Sequence, residues 1–258
     1  MEQCSIFFVK LAIFIYNERM INFKIKIANI VLQVNAFNES TKKYCEDFLS
    51  DEEAKYTITL TKQDLENELH IQEDGKVYVS EEISALYRKI ADLFVEQNII
   101  VMHGSAFKVG SYAFIVTARS GVGKSTHVTL LKEYLGNELE YINDDKPLLE
   151  VKDNELMLYS SPWNGKERRG NDIHAPLKSI IFLDRGITNT YRHIDNKEEI
   201  YFKLLSQVYL PKDKSKREKA LKIVDILLKK LSFYEINVNT DISSASMTSE
   251  RIIKNEIK

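Results

Sequence analysis

From Asn22 onward apolar side chains recur at every second position: Phe23, Ile25 and Ile27, then Ile30, Leu32 and Val34, then Tyr56, Ile58 and Leu60, and later Val77 and Val79. Successive side chains point to opposite faces of a strand, so each run predicts a strand with one buried face. Together they predict a small, mostly antiparallel sheet. The period then changes. Ile83, Leu86, Ile90, Leu93 and Phe94 fall at helical spacing behind Ser80-Glu81-Glu82, a capping serine with early carboxylates, and predict a helix over 80–97.

Beyond residue 98 the apolar runs are short and unbroken, as in strands buried on both faces. Strands are expected over 99–102, 113–117, 141–143 and 178–183, with a hairpin formed by 148–151 and 156–159. A helix over 125–135 stops at Gly136, a residue suited to helix ends. The tail predicts helices over 197–208 and 216–231, a strand over 233–238 and a terminal helix. The expected domains are therefore an N-terminal α+β part, 20–97, and a second part, 98–258. Residues 5–16 are apolar but too short to span a bilayer and carry Lys10. They lack the basic start and cleavage site of a signal peptide. Because Met20 opens the first alternating strand, 1–19 reads as an upstream extension from a misassigned start codon.

Composition narrows the class. The chain has 258 residues, 44% of them hydrophobic, enough for a sizeable core. A formal charge of -2 supplies no global field for nucleic acid or an anionic membrane, and neither is expected as a partner. The cations from Lys212 to Lys219 are interrupted by Asp213 and Glu218 and read as a solvated helix start. Cys4 and Cys45 are too few for a disulfide framework or a zinc site, which fits the cytoplasm. Eight of the 9 glycines lie between Gly104 and Gly186, so functional loops are expected there.

The strongest chemical signal is Ala118-Arg119-Ser120-Gly121-Val122-Gly123-Lys124-Ser125-Thr126. Glycines at a strand-to-helix junction let backbone N–H groups converge on phosphate oxygens, and the helix adds its positive end. Ser120 to Thr126 are thus expected to bind a nucleoside triphosphate, with Lys124 on the β- and γ-phosphates and Ser125 on Mg²⁺. The usual pattern has glycine at position 118. Alanine suffices there if its φ stays negative, since the sharp turns fall at Gly121 and Gly123.

One helix and one strand later come Asn143-Asp144-Asp145. At the carboxyl end of a strand beside the loop strand, one carboxylate can hold Mg²⁺ while the other accepts a proton. The same residues also fit an Asx turn leading to Pro147. His103 ends the strand before the loop strand and suits either phosphate chemistry or a satisfied turn position. The segment from Ser161 to Asn171 holds the single tryptophan and three cations, and can either close over a ligand or stand as a solvated basic loop. Lys166, after Gly165, is its first candidate for neutralising phosphoryl charge, with Arg168 and Arg169 in reserve; Arg185, just past a strand, is a further candidate.

Met102-His103-Gly104-Ser105-Ala106, Ser120-Gly-Val-Gly-Lys-Ser-Thr126 and Asp144-Asp145 resemble the catalytic domain of the HPr kinase/phosphorylase family and, more distantly, the nucleotide core of phosphoenolpyruvate carboxykinases. The resemblance covers about residues 100–150 and continues weakly to about 240. It implies an α/β fold, α+β overall, with a carboxykinase-like P-loop core. It also implies ATP and Mg²⁺ as cofactors, His103 and Asp144 as catalytic, with Asp144 the base toward a seryl hydroxyl, and Asp145 supporting the metal. The family's rings imply a homo-oligomer. The chain departs at Ala118, in a longer stretch before the aspartates, and in lacking the later glutamate-arginine signature. The acceptor is therefore left as a hydroxyl on a protein, a peptide or a small molecule. A non-catalytic nucleotide-binding module and a carboxykinase-like transfer remain as alternatives.

Overall fold

The computed structural model describes residues 20–69, 81–153 and 155–258. The expected extension 1–19, the strand at 77–79 and the Ser80 cap lie outside them. The chain forms two compact units, the first ending at Ile90 and the second running from Ala91 to Lys258.

In the first unit, β1 (Ile21–Ile27) and β2 (Ile30–Ala36) pair antiparallel, with Ile27 opposite Ile30. Ala28 and Asn29 between them take φ of 48° and 60°, the left-handed pair that matches the twist of a two-residue hairpin. Phe23, Ile25 and Ile27 are buried, as their alternation requires. The third strand, β3 (Tyr56–Thr59), runs parallel to β2 rather than antiparallel. The reason is α1 (Glu39–Tyr44) in the connection, which returns the chain to the starting end of the sheet. Next come α2 (Lys62–Leu69) and α3 (Glu81–Glu96), the last residues of which belong to the second unit.

The second unit is built on nine strands. Its main sheet contains β5 (Ser105–Val109), β6 (Tyr112–Thr117), β7 (Leu139–Asn143), β10 (His174–Arg185), β11 (Thr190–His193) and β12 (Ser232–Val238) in the order β7-β5-β6-β10-β12-β11. The long β10 also pairs at its start with β9 (Glu155–Tyr159), which continues through β8 (Leu148–Lys152) to β4 (Ile99–Val101). Both faces of the main sheet are covered. Ile115, Ile180, Phe182 and Phe233 pack with Ile200 and Leu204 of α5 (Lys197–Leu205) and with Ile223, Val224 and Leu227 of α6 (Lys214–Lys230). The intervening Phe114, Val116, Ile181, Leu183 and Ile236 pack with Val128 and Leu131 of α4 (Lys124–Leu135) and Ala245 of α7 (Ile242–Thr248). Burial on both faces explains the unbroken apolar runs. The chain closes with a π-helical turn, Ser249–Ile253, and α8 (Lys254–Ile257). No helix among the described residues is long and apolar enough to cross a membrane.

Strand direction positions the site. β10 runs parallel to both β6 and β12. β5 runs antiparallel to β6 and β7, which makes β7 parallel to β6. The carboxyl ends of β6, β7, β10 and β12 and the amino end of β5 therefore share one edge. This is where open α/β sheets bind ligands.

Candidate functional site

At this edge β6 delivers the phosphate-type loop. Ala118 is buried, and among the described residues it is not one with positive φ, so the alanine fits its place. Gly121 and Gly123 take φ of 78° and 121°, conformations that favour glycine and turn the chain into α4. Lys124 is only 8% exposed, and its Nζ donates to Ala118 O at 3.1 Å inside the loop. Burial lowers its pKa, as does Lys146, while Asp145 and Asp144 pull the other way. Ser125 is half-buried in the first turn of α4.

Asp144 follows β7 and is buried. Ser105 Oγ donates to its Oδ1, and its backbone N–H donates to Asn164 Oδ1 at 2.7 Å. The Asx turn belongs to Asn143, not to an aspartate: Asn143 Oδ1 accepts from the N–H groups of Asp145 at 2.9 Å and Lys146 at 2.7 Å. The turn and the paired carboxylates thus coexist. Asn143 is fully buried and its Nδ2 donates to Ser161 O at 3.0 Å, which fixes the turn to the central loop.

Asp145 is half-exposed and meets two nitrogen groups on one oxygen. Lys146 Nζ lies 2.9 Å and His103 Nε2 3.5 Å from its Oδ1. His103 is held by its backbone, with its N–H on Gln207 O at 2.7 Å and its carbonyl accepting from Thr117 Oγ1 at 2.7 Å. Gly104 N–H donates to Asp145 O at 3.0 Å, so the β5 entry and the β7 exit are stitched together. Burial lowers the His103 pKa to about 4, helped by Lys146 and Lys124 and opposed by Asp145. The imidazole is therefore neutral near pH 7, able to accept a proton or donate a hydrogen bond.

The central loop packs onto this turn. Ser161 to Asn164 are buried, and Lys146 N–H donates to Trp163 O at 3.1 Å. Gly165 has φ of 66° and lies against Asp144, where an added Cβ would stand 3.5 Å from Asp144 O. Gly170 has no room for a side chain, since a Cβ would fall 2.4 Å from Ile142 O. Lys166, between them in sequence, is exposed. Arg169 Nη1 donates to Thr129 Oγ1 of α4. Arg185, at the end of β10, turns to the phosphate-type loop: its Nε donates to Val122 O at 2.9 Å and its Nη2 to Gly121 O at 2.7 Å.

The structure thus gathers Ser120 to Thr126, His103, Asp144, Asp145 and Arg185 at one edge, with Lys166 one residue beyond the glycine that touches Asp144. The sequence pattern gave Asn143 only a share in a possible Asx turn and gave no part to Asn164, Lys146 or Gln207. The Asn143-Asp-Asp-Lys-Pro147 run carries the turn signal that also takes in Lys146, but nothing local marks Asn164 or Gln207. Among the described residues no three His, Cys, Asp or Glu side chains group to cage a metal. Magnesium needs no such cage, because it takes most of its ligands from phosphate and water.

No protein-family model matches the chain, and no curated protein matches its sequence. Among solved structures it is similar to the Hpr(Ser) kinase/phosphatase from Coxiella burnetii, with a TM-score of 0.38 and 8% identity over 61% of this chain and 90% of that one. A likeness this slight carries no argument about the reaction.

Proposed function

We propose that this chain is an ATP- and Mg²⁺-dependent kinase of the HPr kinase type, which transfers the γ-phosphoryl group to a hydroxyl, a seryl one in a protein or peptide or that of a small molecule. The observation that carries the reading is the shared sheet edge. There, a glycine loop with a buried lysine faces a buried aspartate whose surroundings leave one carboxylate oxygen for a proton. The sequence resemblance at residues 102–106, 120–126 and 144–145 supports the same assignment.

In this reading the N–H groups of Ser120 to Thr126 and the Lys124 ammonium hold the phosphates, and Ser125 and Asp145 hold Mg²⁺, which supplies charge neutralisation to the transferring group. Ser105 occupies Asp144 Oδ1 and Asn164 fixes its backbone, so Oδ2 takes the proton of the acceptor hydroxyl. The hydroxyl oxygen then bonds the γ-phosphorus as the bond to the β–γ bridging oxygen breaks. Neutral His103 stands beside Asp145 and orients it or contacts the γ-phosphate. Lys166, one residue past Gly165, is the cation assigned to the transferring group. Arg185 serves by holding the loop.

The test is incubation with γ-labelled ATP and Mg²⁺ in a lysate of the cells the protein comes from, with Lys124→Ala as control. A labelled protein or small molecule that appears with wild type alone establishes the kinase and names its acceptor. One observation favours a second reading, a non-catalytic nucleotide-binding module: Asp145 is already paired with Lys146 at 2.9 Å. ATP binding without any labelled acceptor, together with an intact cellular phenotype for Asp144→Asn, would select that module.

A further inference from the structure

The kinase chemistry proposed above gives Lys146 no part, although the residue directly follows the paired aspartates. Its backbone is pinned on both sides. The N–H donates to Asn143 Oδ1 at 2.7 Å and to Trp163 O at 3.1 Å, and the carbonyl accepts from Ser161 Oγ at 2.7 Å. Pro147 comes next and restricts the backbone at Lys146 further, while its own carbonyl accepts from Met102 N–H at 3.1 Å, beside His103. The long side chain therefore leaves from a fixed stem, and only 26% of it is exposed. Its ammonium ends 2.9 Å from Asp145 Oδ1, the oxygen that His103 Nε2 approaches at 3.5 Å.

A structural duty does not account for this charge. A partly exposed ion pair between neighbouring residues contributes little to stability. Against that small gain, the ammonium is close enough to Lys124 and His103 to disfavour the protonated form of each. Like charges held together at one place suit the reception of an anion. Lys124 opens α4 after β6 and Lys146 follows β7, so two lysines come to the same sheet edge from two strands. Lys166, by contrast, is exposed on the central loop. When Asp145 turns to Mg²⁺, as proposed, the Lys146 ammonium gives up its carboxylate, and a phosphate oxygen is the anion that replaces it.

We infer that Lys146 is a specificity-determining residue whose ammonium pairs with the γ-phosphate, so that the site distinguishes a nucleoside triphosphate from a diphosphate. The inference rests on the function proposed above and gives the terminal phosphate a second lysine besides Lys124.

Calorimetry of the full chain with Mg²⁺ and either ATP or ADP tests this without any acceptor. Wild type is expected to bind ATP at least about tenfold more tightly than ADP. Lys146→Met keeps the length of the side chain without its charge. It is expected to weaken ATP binding about tenfold while leaving ADP affinity within about twofold. Equal affinity of wild type for the two nucleotides, an ATP affinity unchanged or raised in Lys146→Met, or an equal loss for both nucleotides would overturn the assignment and leave the phosphate loop standing. Binding of neither nucleotide by wild type would overturn the loop reading, and this one with it. Should Lys146→Met not fold, wild type decides. An ADP analogue carrying pyridoxal on its terminal phosphate forms an imine with the lysine it meets, and borohydride fixes the bond. Lys146 is expected to carry that label, and ATP to block it. A label confined to other lysines would overturn the inference.

Discussion

Asp144 and Lys124 sit at the same sheet edge, and the proposed function gives them different duties that single substitutions separate. Asp144→Asn keeps the size of the side chain and can still accept from Ser105, but it cannot take a proton. Phosphoryl transfer is expected to fall by roughly 10²–10³ with ATP affinity nearly unchanged. Lys124→Ala removes the ammonium from inside the loop and is expected to lose both transfer and most ATP affinity; calorimetry beside a transfer assay reads the contrast. His127, one turn further along α4, is only 3% exposed, and its Nε2 lies 3.1 Å from Thr248 Oγ1. Burial depresses its pKa from 6.5 to about 4. Between those values the unfolded chain binds the proton and the folded chain does not. The folded state is therefore fully stable above the unfolded value and loses stability as pH falls toward the folded one, by roughly 3 kcal/mol at the limit. His127→Gln should flatten that loss in denaturant melts at pH 7 and pH 5. An unaltered pH dependence in the variant would assign the acid sensitivity elsewhere, with His103 the next candidate.

At the scale of elements, the phosphate-type loop is held from outside as well as by its own glycines. Arg185 bridges two of its carbonyls from a strand more than sixty residues away in sequence, a bond that fixes the loop's curvature. Arg185→Ala is expected to weaken ATP binding by roughly five- to twentyfold in calorimetry without lowering the melting temperature appreciably, and Arg185→Lys to rescue it poorly, because one ammonium does not span both carbonyls in the guanidinium's planar geometry. Gly123→Ala forces a side chain onto a φ of 121° and should cost on the order of 1–3 kcal/mol of stability. The loop was legible because its requirements are local: glycines, a strand before, a helix after. The period-two run of β1 and the doubly buried run of β6 were legible for the same reason. What escaped depends on distant partners. β11, Thr190–His193, is wholly exposed and shows no alternation, so only its pairing with β12 makes it a strand. The parallel direction of β3 follows from α1, a six-residue helix too short to announce itself by periodicity. Asn164 acquires its role only because Gly165 and Gly170 let the central loop press onto Asp144. A sequence reading sees the residue types in that loop, but not the contact.

For the whole molecule, every group assigned to phosphate, metal or proton lies between His103 and Arg185, and so within the second unit, which begins at Ala91. The sequence pattern placed the domain junction near residue 97, at the end of α3, whereas the packing draws the last turns of that helix into the second unit. Val95 is 1% exposed and belongs to the same apolar cluster as Ile100, Ile115 and Phe233. Asp92 Oδ1 accepts from Tyr209 OH at 3.0 Å, and Glu96 O accepts from Lys219 Nζ at 2.7 Å. A fragment beginning at residue 98 loses all three. Burying one valine contributes roughly 1.5–3 kcal/mol, and each hydrogen bond adds about 1 kcal/mol. A fragment spanning 81–258 should therefore melt roughly 7–20 °C above one spanning 98–258. It should also bind ATP as the full chain does, because its site is complete. Coincident melting curves would show that the end of α3 contributes nothing to the second unit. A loss of ATP binding in a folded 81–258 fragment would instead show that the first unit supplies part of the site.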